Sequence, residues 1–134
     1  MANTTFTGPV RSENGFEDVT KNATTGVFTA NASYGKAIRG GVQSLSGAGA
    51  VDLTNLITEV TTTGANALTL AYGTTSGQVK IINMIVDGGD GTLTPVTFAN
   101  GTTITFDAVA ESATLVWNST IGWVATSVNG ATVA

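Results

Sequence analysis

The chain has 134 residues and a mass of 13.5 kDa, with a net charge of −4 and only 10% charged residues. It contains no cysteine and no histidine, which excludes a disulfide framework, a thiolate zinc site, a histidine base and a Ser-His-Asp triad. The acidic balance argues against a nucleic-acid partner. This composition, rich in Thr, Ala and Gly, predicts a non-enzymatic β protein that needs no cofactor and works through its surfaces.

The N-terminus lacks a basic region followed by an apolar run, so it does not resemble a signal peptide. The longest strongly apolar run, around residues 81–86, is far shorter than the roughly 20 residues of a membrane-spanning helix. We therefore expect a soluble protein without a membrane partner, made in a reducing cytoplasm.

Residues 1–45 are predicted to form an extended N-terminal arm with one or two short strands, at Gly26–Ala30 and Ala37–Leu45. Isolated apolar residues are scattered there among polar residues, without a sustained period of 2 or 3.6. Residues 1–40 hold four basic and three acidic residues, whereas residues 41–134 hold one basic and six acidic residues. The sequence therefore combines a slightly basic arm with an acidic body.

Separated aromatic and basic residues in this arm suggest a segment that gains its order from a partner surface. In that interpretation, the residues expected to contact the partner or a neighbouring subunit are Phe6, Arg11, Phe16, Phe28, Tyr34 and Arg39. Arg11 would pair with a carboxylate and fix the direction of binding. The alternative is that the arm packs on its own body as edge strands.

Residues 46–134 are predicted to form the body, an antiparallel β-sandwich or barrel. Short β-favouring runs alternate there with Gly- and Asn-rich turns, and no segment carries a convincing helical stripe. The predicted strands are Ala50–Leu53, Ile57–Thr62, Ala67–Tyr72, Gln78–Val86, Thr92–Phe98, Thr102–Asp107, Ala113–Trp117 and Trp123–Val128. The fold class is therefore predicted to be all-β.

Alternation within the strands assigns some of their faces. Leu68, Leu70 and Tyr72 are expected to share one face of their strand. The strand Gln78–Val86 is apolar on both faces, so it is predicted to be buried on both sides or to present one face to a neighbouring subunit.

Trp117 and Trp123 flank a five-residue turn and are predicted to pair across a hairpin. Their expected role is a core plug at one end of the sheet. The alternative is a sugar-stacking platform that includes Tyr72, for which the nearby sequence supplies only Asn118 as an amide.

The acidic residues predict neither a metal site nor a catalytic pair. Asp87 and Asp90 lie in a Gly-rich segment that lacks the ligand spacing of EF-hand and nonapeptide calcium repeats, so a tight turn is expected there. Asp107 and Glu111 lack the polar cleft that glycoside hydrolysis requires. We expect no catalytic residue and no metal ligand, and only an ion at the Asp87 turn is left open.

Two stretches of the chain resemble proteins of tailed bacteriophages. Residues 6–16, Phe-Thr-Gly-Pro-Val-Arg-Ser-Glu-Asn-Gly-Phe, resemble the opening of small proteins encoded near phage head genes, those of marine phages especially. The body, through Gly47–Leu53 and Val86–Pro95 to Trp123, is similar to a β module of phage head-decoration and fibre proteins.

The resemblance implies a structural virion protein of the capsid decoration, or cement, type. Such a protein lies on the exterior of the capsid, binds the major capsid protein of an HK97-type shell and stabilises it, often as a homotrimer. The resemblance implies no ligand residue. The alternatives are a carbohydrate-binding module and a module of a head or tail fibre.

Overall fold

A computed structural model describes residues 16–34 and 38–134, with side chains described for residues 22–27 and 40–134. The described residues form thirteen β-strands and contain no helix, which confirms the prediction of an all-β protein. In these ranges no helix is long and apolar enough to span a membrane.

The first of two compact units, Met1–Gly40, contains a three-stranded antiparallel sheet of order β1-β2-β3. Its strands are β1 (Phe16–Lys21), β2 (Phe28–Tyr34) and β3 (Ile38–Arg39). In the β1–β2 turn, Asn22 Oδ1 accepts hydrogen bonds from the backbone N–H groups of Thr24 and Thr25, both at 2.9 Å. This segment therefore has three strands where the sequence predicted one or two.

The second compact unit, Gly41–Ala134, forms two five-stranded sheets. Its strands are β4 (Val42–Ser46), β5 (Gly49–Val51), β6 (Ile57–Thr61), β7 (Asn66–Leu70), β8 (Val79–Val86), β9 (Gly91–Pro95), β10 (Ile104–Phe106), β11 (Ser112–Asn118), β12 (Gly122–Asn129) and β13 (Thr132–Val133). Sheet 1 has the order β12-β11-β8-β6-β4, and sheet 2 has the order β13-β10-β9-β7-β5.

Successive strands from β4 to β9 alternate between the two sheets, so the chain winds through three coils. Within each sheet the strands of successive coils pair in parallel. Strands β10 to β13 then add antiparallel pairs beside β8 and β9. The body is therefore a sandwich of two mixed sheets and not a closed barrel. The sequence predicted only antiparallel pairing, because the alternation of a strand's faces does not reveal the direction of its neighbour.

The core of this unit lies between the two sheets and draws on both. Its buried apolar side chains are Val51, Val60, Leu68, Leu70, Ile82, Met84, Leu93, Ile104, Phe106, Ala113, Leu115, Trp117 and Trp123. Nine of them are fully inaccessible to solvent. Each buried side chain of the size of Leu or Ile stabilises the fold by about 1.5–3 kcal/mol.

Each of the eight strands predicted in the body is present, with its ends within three residues of the prediction. Leu68 and Leu70 are buried as expected, whereas Tyr72 lies beyond the end of β7 and is 59% exposed. The strand β4 belongs to the second unit, although the sequence placed it in the arm. At the step from sheet 1 to sheet 2 that follows β4, the Gly47 N–H donates to Thr61 O at 2.9 Å.

Replacing Leu115 by Ala is expected to lower the free energy of unfolding by about 2–5 kcal/mol, because it leaves a cavity between the sheets. The control is Thr114→Ala, on the opposite, half-buried face of β11, which should change the free energy by less than about 1 kcal/mol. Urea unfolding monitored by Trp fluorescence measures both. Equal effects at the two positions would contradict the assigned core.

Candidate interaction surface

The outer face of sheet 1, which is turned away from the core, carries two adjacent rows of β-branched apolar side chains. Their six residues, here called the apolar face, are Val79, Val116 and Val124 in one row and Val42, Ile57 and Ile81 in the next. Val42 is 49% exposed and Val79 is 38% exposed, and the others are half-buried. None of the six belongs to the buried core on the other side of the sheet.

Polar residues bound the apolar face on one side. The neighbouring row across sheet 1 consists of Ser44, Glu59, Asn83, Ser112 and Asn129. The only charge in that row is Glu59, and the apolar face itself has none. An uncharged Val and Ile surface with a polar rim is the pattern expected of an interaction site.

The outer face of sheet 2 has a different character. It is built from Ala50, Ala67, Thr69, Thr92, Thr94, Thr105 and Thr132. Large apolar side chains are therefore concentrated on the outside of sheet 1. The doubly apolar strand predicted from the sequence is the source, because β8 places Ile82 and Met84 in the core and Val79 and Ile81 outside.

Of the six residues predicted to contact a partner, four lie in the part of the chain that the structure describes. Phe6 and Arg11 lie outside the described residues. Phe16, Phe28, Tyr34 and Arg39 all lie in the three-stranded sheet, where the backbone register places Phe16 opposite Tyr34. The sequence predicted strands at Phe28 and Arg39 but not at Phe16 and Tyr34, which lie in β1 and β2.

Trp117 and Trp123 pair across the β11–β12 hairpin as predicted, with ring centroids 5.4 Å apart. They are 7% and 0% exposed, and Trp123 Nε1 donates to Ala71 O at 2.8 Å. Tyr72 packs edge-on against Trp117 with a centroid distance of 5.8 Å. The two indoles therefore act as a core plug, and neither presents an open ring face to a sugar.

The Asp87–Asp90 segment is a tight turn packed against another turn. Gly88 N–H donates to Thr62 Oγ1, and Gly89 N–H donates to Asp87 Oδ1, both at 2.9 Å. A Cβ atom on Gly88 would collide with the Thr62 carbonyl, and Gly89 has a φ of 137°. The close approach of two backbone segments therefore accounts for the glycines between Asp87 and Asp90.

The second acidic pair has a local structural role. Glu111 is 9% exposed, and its Oε2 accepts a hydrogen bond from Asp107 N–H at 2.7 Å. This bond closes the loop between β10 and β11. In the part of the chain that the structure describes, no group of three or more acidic, His or Cys side chains could hold a metal ion.

Lys80 forms an ion pair that the sequence did not reveal. It is the only basic residue after Gly40, and its side chain is 1% exposed on the inner face of β8. Its Nζ donates to Asn55 O at 2.7 Å and lies 3.6 Å from Asp52 Oδ1. Asp52 also accepts hydrogen bonds from the backbone N–H groups of Thr54 and Asn55, at 3.0 and 2.8 Å. The corner between β5 and β6 is therefore folded around the Lys80 amine.

Both partners of this pair have a shifted pKa. Burial lowers the pKa of the Lys80 amine below its usual range, and the nearby Asp52 charge opposes that shift only in part. Burial raises the pKa of Asp52, but hydrogen bonds from Asn55 and the Lys80 charge outweigh it, so the pKa lies below its usual range. Asp52 is thus favoured in its carboxylate form, whereas burial disfavours the charged form of the Lys80 amine.

Gln43 connects this corner to the edge strand β4. Its Oε1 accepts hydrogen bonds from Asp52 N–H at 2.9 Å and from Thr58 Oγ1 at 2.8 Å, and its Nε2 donates to Ala50 O at 2.9 Å. Thr58 is fully buried. Among the described residues every buried side-chain polar atom has a hydrogen-bond partner.

Comparisons with known proteins do not identify the chain. No protein-family model and no curated protein matches it.

Replacing Gln43 by Ala is expected to lower the free energy of unfolding by about 1–3 kcal/mol, because it leaves the buried Thr58 hydroxyl and the Asp52 N–H without partners. Ser44→Ala, one residue further on the outer face of β4, is the matched control and should change stability by less than about 0.5 kcal/mol. Chemical denaturation of both variants gives the comparison. If the two variants were equally stable, the Gln43 bonds would have no net effect on the fold.

Proposed function

We propose that this protein is a structural virion component that binds the outer surface of an HK97-type phage capsid and stabilises it as a homotrimer. The apolar face of sheet 1 is the observation that carries the proposal, because its Val and Ile side chains lie outside the core and are exposed or half-buried. The resemblance of residues 6–16 and of the body to phage head proteins supplies the partner.

The apolar face supports self-association in particular. The exposed acidic residues of the body would repel one another if copies met through them. Residues of the apolar face carry no charge, so three copies can bring these surfaces together without burying a carboxylate. The edge strand β4 and the central strand β8 both contribute to it, which gives a broad surface and not a point contact.

The distribution of charge supports a separate role for the arm. Lys80 is buried against Asp52, so it adds no positive charge to the body surface. The other four basic residues, Arg11, Lys21, Lys36 and Arg39, all precede Gly41. Attraction to carboxylates on a capsid would therefore come from the arm, while the body contributes the contacts between copies.

The carbohydrate-binding alternative has less support. A sugar-stacking site needs an aromatic ring face open to solvent, and Trp117 and Trp123 are buried. Tyr72 alone is exposed, and its ring already packs against Trp117. Glycan binding that is lost in Tyr72→Ala while capsid binding is kept would favour this alternative.

Replacing Val79 by Asp is expected to weaken trimer formation by at least tenfold, or about 1.4 kcal/mol, because association would bury an unpaired charge on the apolar face. Thr94→Asp on the outer face of sheet 2 places the same charge on an exposed strand position and should leave the oligomer unchanged. Light scattering after size-exclusion chromatography measures both. A wild type that stays monomeric in solution and on capsids would contradict the trimer.

Deleting residues 1–15 is expected to abolish binding to undecorated HK97-type capsids, while β1–β13 and the oligomer remain. The physical reason is the loss of Phe6 and Arg11, which are predicted to contact the shell. Cosedimentation with purified capsids measures binding, and circular dichroism reports the fold. If the truncated chain binds as tightly as the full chain, the capsid contact lies elsewhere.

A further inference from the structure

The side chains around Lys80 bring together an amine, a carboxylate and a carboxamide. Lys80 Nζ lies 3.6 Å from Asp52 Oδ1. The other oxygen of the same carboxylate, Oδ2, accepts a hydrogen bond from Asn55 Nδ2 at 2.7 Å. Asp52 therefore contacts both the amine of Lys80 and the amide nitrogen of Asn55.

The amine is also held against Asn55 itself. Lys80 Nζ donates to the main-chain oxygen of Asn55 at 2.7 Å, so it is fixed beside the residue that carries the carboxamide. Lys80 lies on β8 in the middle of sheet 1, whereas Asn55 lies on the corner that joins β5 to β6. The fold thus brings Lys80 into direct hydrogen-bond contact with Asn55, 25 residues away in the sequence.

We propose that Lys80 and Asn55 form an intramolecular isopeptide bond, with Asp52 as the group that transfers the proton. The Lys80 amine attacks the Asn55 Cγ carbon, a Nζ–Cγ bond forms, and the Cγ–Nδ2 bond breaks. Asp52 accepts a proton from the amine and delivers it to Nδ2, which leaves as ammonia. No oxidant or cofactor is needed, and Asp52 is regenerated.

The surroundings of the amine favour this reaction. Lys80 is 1% exposed, so water competes poorly with the amine for the amide carbon. Burial lowers the pKa of the amine, which favours the neutral nucleophile. Asp52 is held as a carboxylate by the hydrogen bonds of Asn55, so it can take the proton that the amine must lose.

The bond would covalently cross-link β8, the central strand of sheet 1, to the corner that follows the first coil of the body. The chain has no cysteine, so no disulfide can supply such a cross-link. This inference does not depend on the proposed function, because it concerns only groups inside the second unit.

Trypsin and mass spectrometry test the proposal directly. After Arg39 the only trypsin site is Lys80, so an unlinked chain gives fragments 40–80 and 81–134. An isopeptide at Lys80 blocks that cleavage, and the denatured wild type should give one fragment, 40–134, lighter than its sequence mass by about 17 Da, the ammonia displaced by the amine. Because residues 1–39 are removed, processing of the N-terminus does not affect the result.

Two variants assign the groups. Asn55→Ala removes the acceptor, and Asp52→Ala keeps both reacting groups but removes the proton carrier, so both should be cleaved at Lys80 and show no mass loss. Asn66→Ala, at the first residue of β7 in sheet 2, is the control and should remain cross-linked. If Asp52→Ala does not fold, the wild type and Asn55→Ala decide the question.

Several outcomes would overturn the proposal. A wild type of full sequence mass has no cross-link. A loss of about 17 Da with normal cleavage at Lys80 is succinimide formation at an Asn residue, not an isopeptide. A loss of about 18 Da is water and would place the bond on Asp52. A cross-linked Asp52→Ala variant would remove Asp52 from the reaction.

Discussion

The body depends on one constraint, which is that each strand from β4 to β9 must place one face against a core shared by two sheets. The chain meets this constraint by crossing from one sheet to the other at every turn, so each coil adds one strand to each sheet. Glycines serve two of these crossings: a Cβ on Gly88 would collide with the Thr62 carbonyl, and Gly47 has a φ of 73°. The corner between β5 and β6 is held by the Asp52 carboxylate, which accepts a hydrogen bond from the Asn55 N–H and pairs with the Lys80 amine of β8.

Lys80 is the only basic residue of the body, and its burial affects both the packing of the core and the charge of the surface. A Lys side chain in the core is costly unless its charge is compensated, and Asp52 and the Asn55 carbonyl compensate it here. The same burial removes positive charge from the exterior of the body. The difference in charge between the basic arm and the acidic body surface therefore has a structural cause as well as a compositional one.

Much of the fold could be predicted from the sequence, because strand positions follow from alternation and turn residues. The coiled path could not, because parallel and antiparallel neighbours impose the same alternation on a strand. Lys80 was missed since a lone charge in an apolar strand has the pattern of an outer-face residue, and its partners lie 25 and 28 residues away. The doubly apolar strand predicted either burial on both sides or one face toward a neighbouring subunit, but only the register aligned Val42, Ile57 and Ile81 in one row.

Because each coil contributes one strand to each sheet, the number of coils sets the number of parallel strands in the body. Strands β10 to β13 close one end of the coils with antiparallel pairs, while the coils themselves repeat a single plan. Duplicating one coil between β5 and β6 would lengthen both sheets by one strand, about 4.8 Å, and leave the closing strands unchanged. Adding or removing whole coils would therefore change the width of both sheets in steps of one strand spacing, without any change to the antiparallel strands at the end of the body.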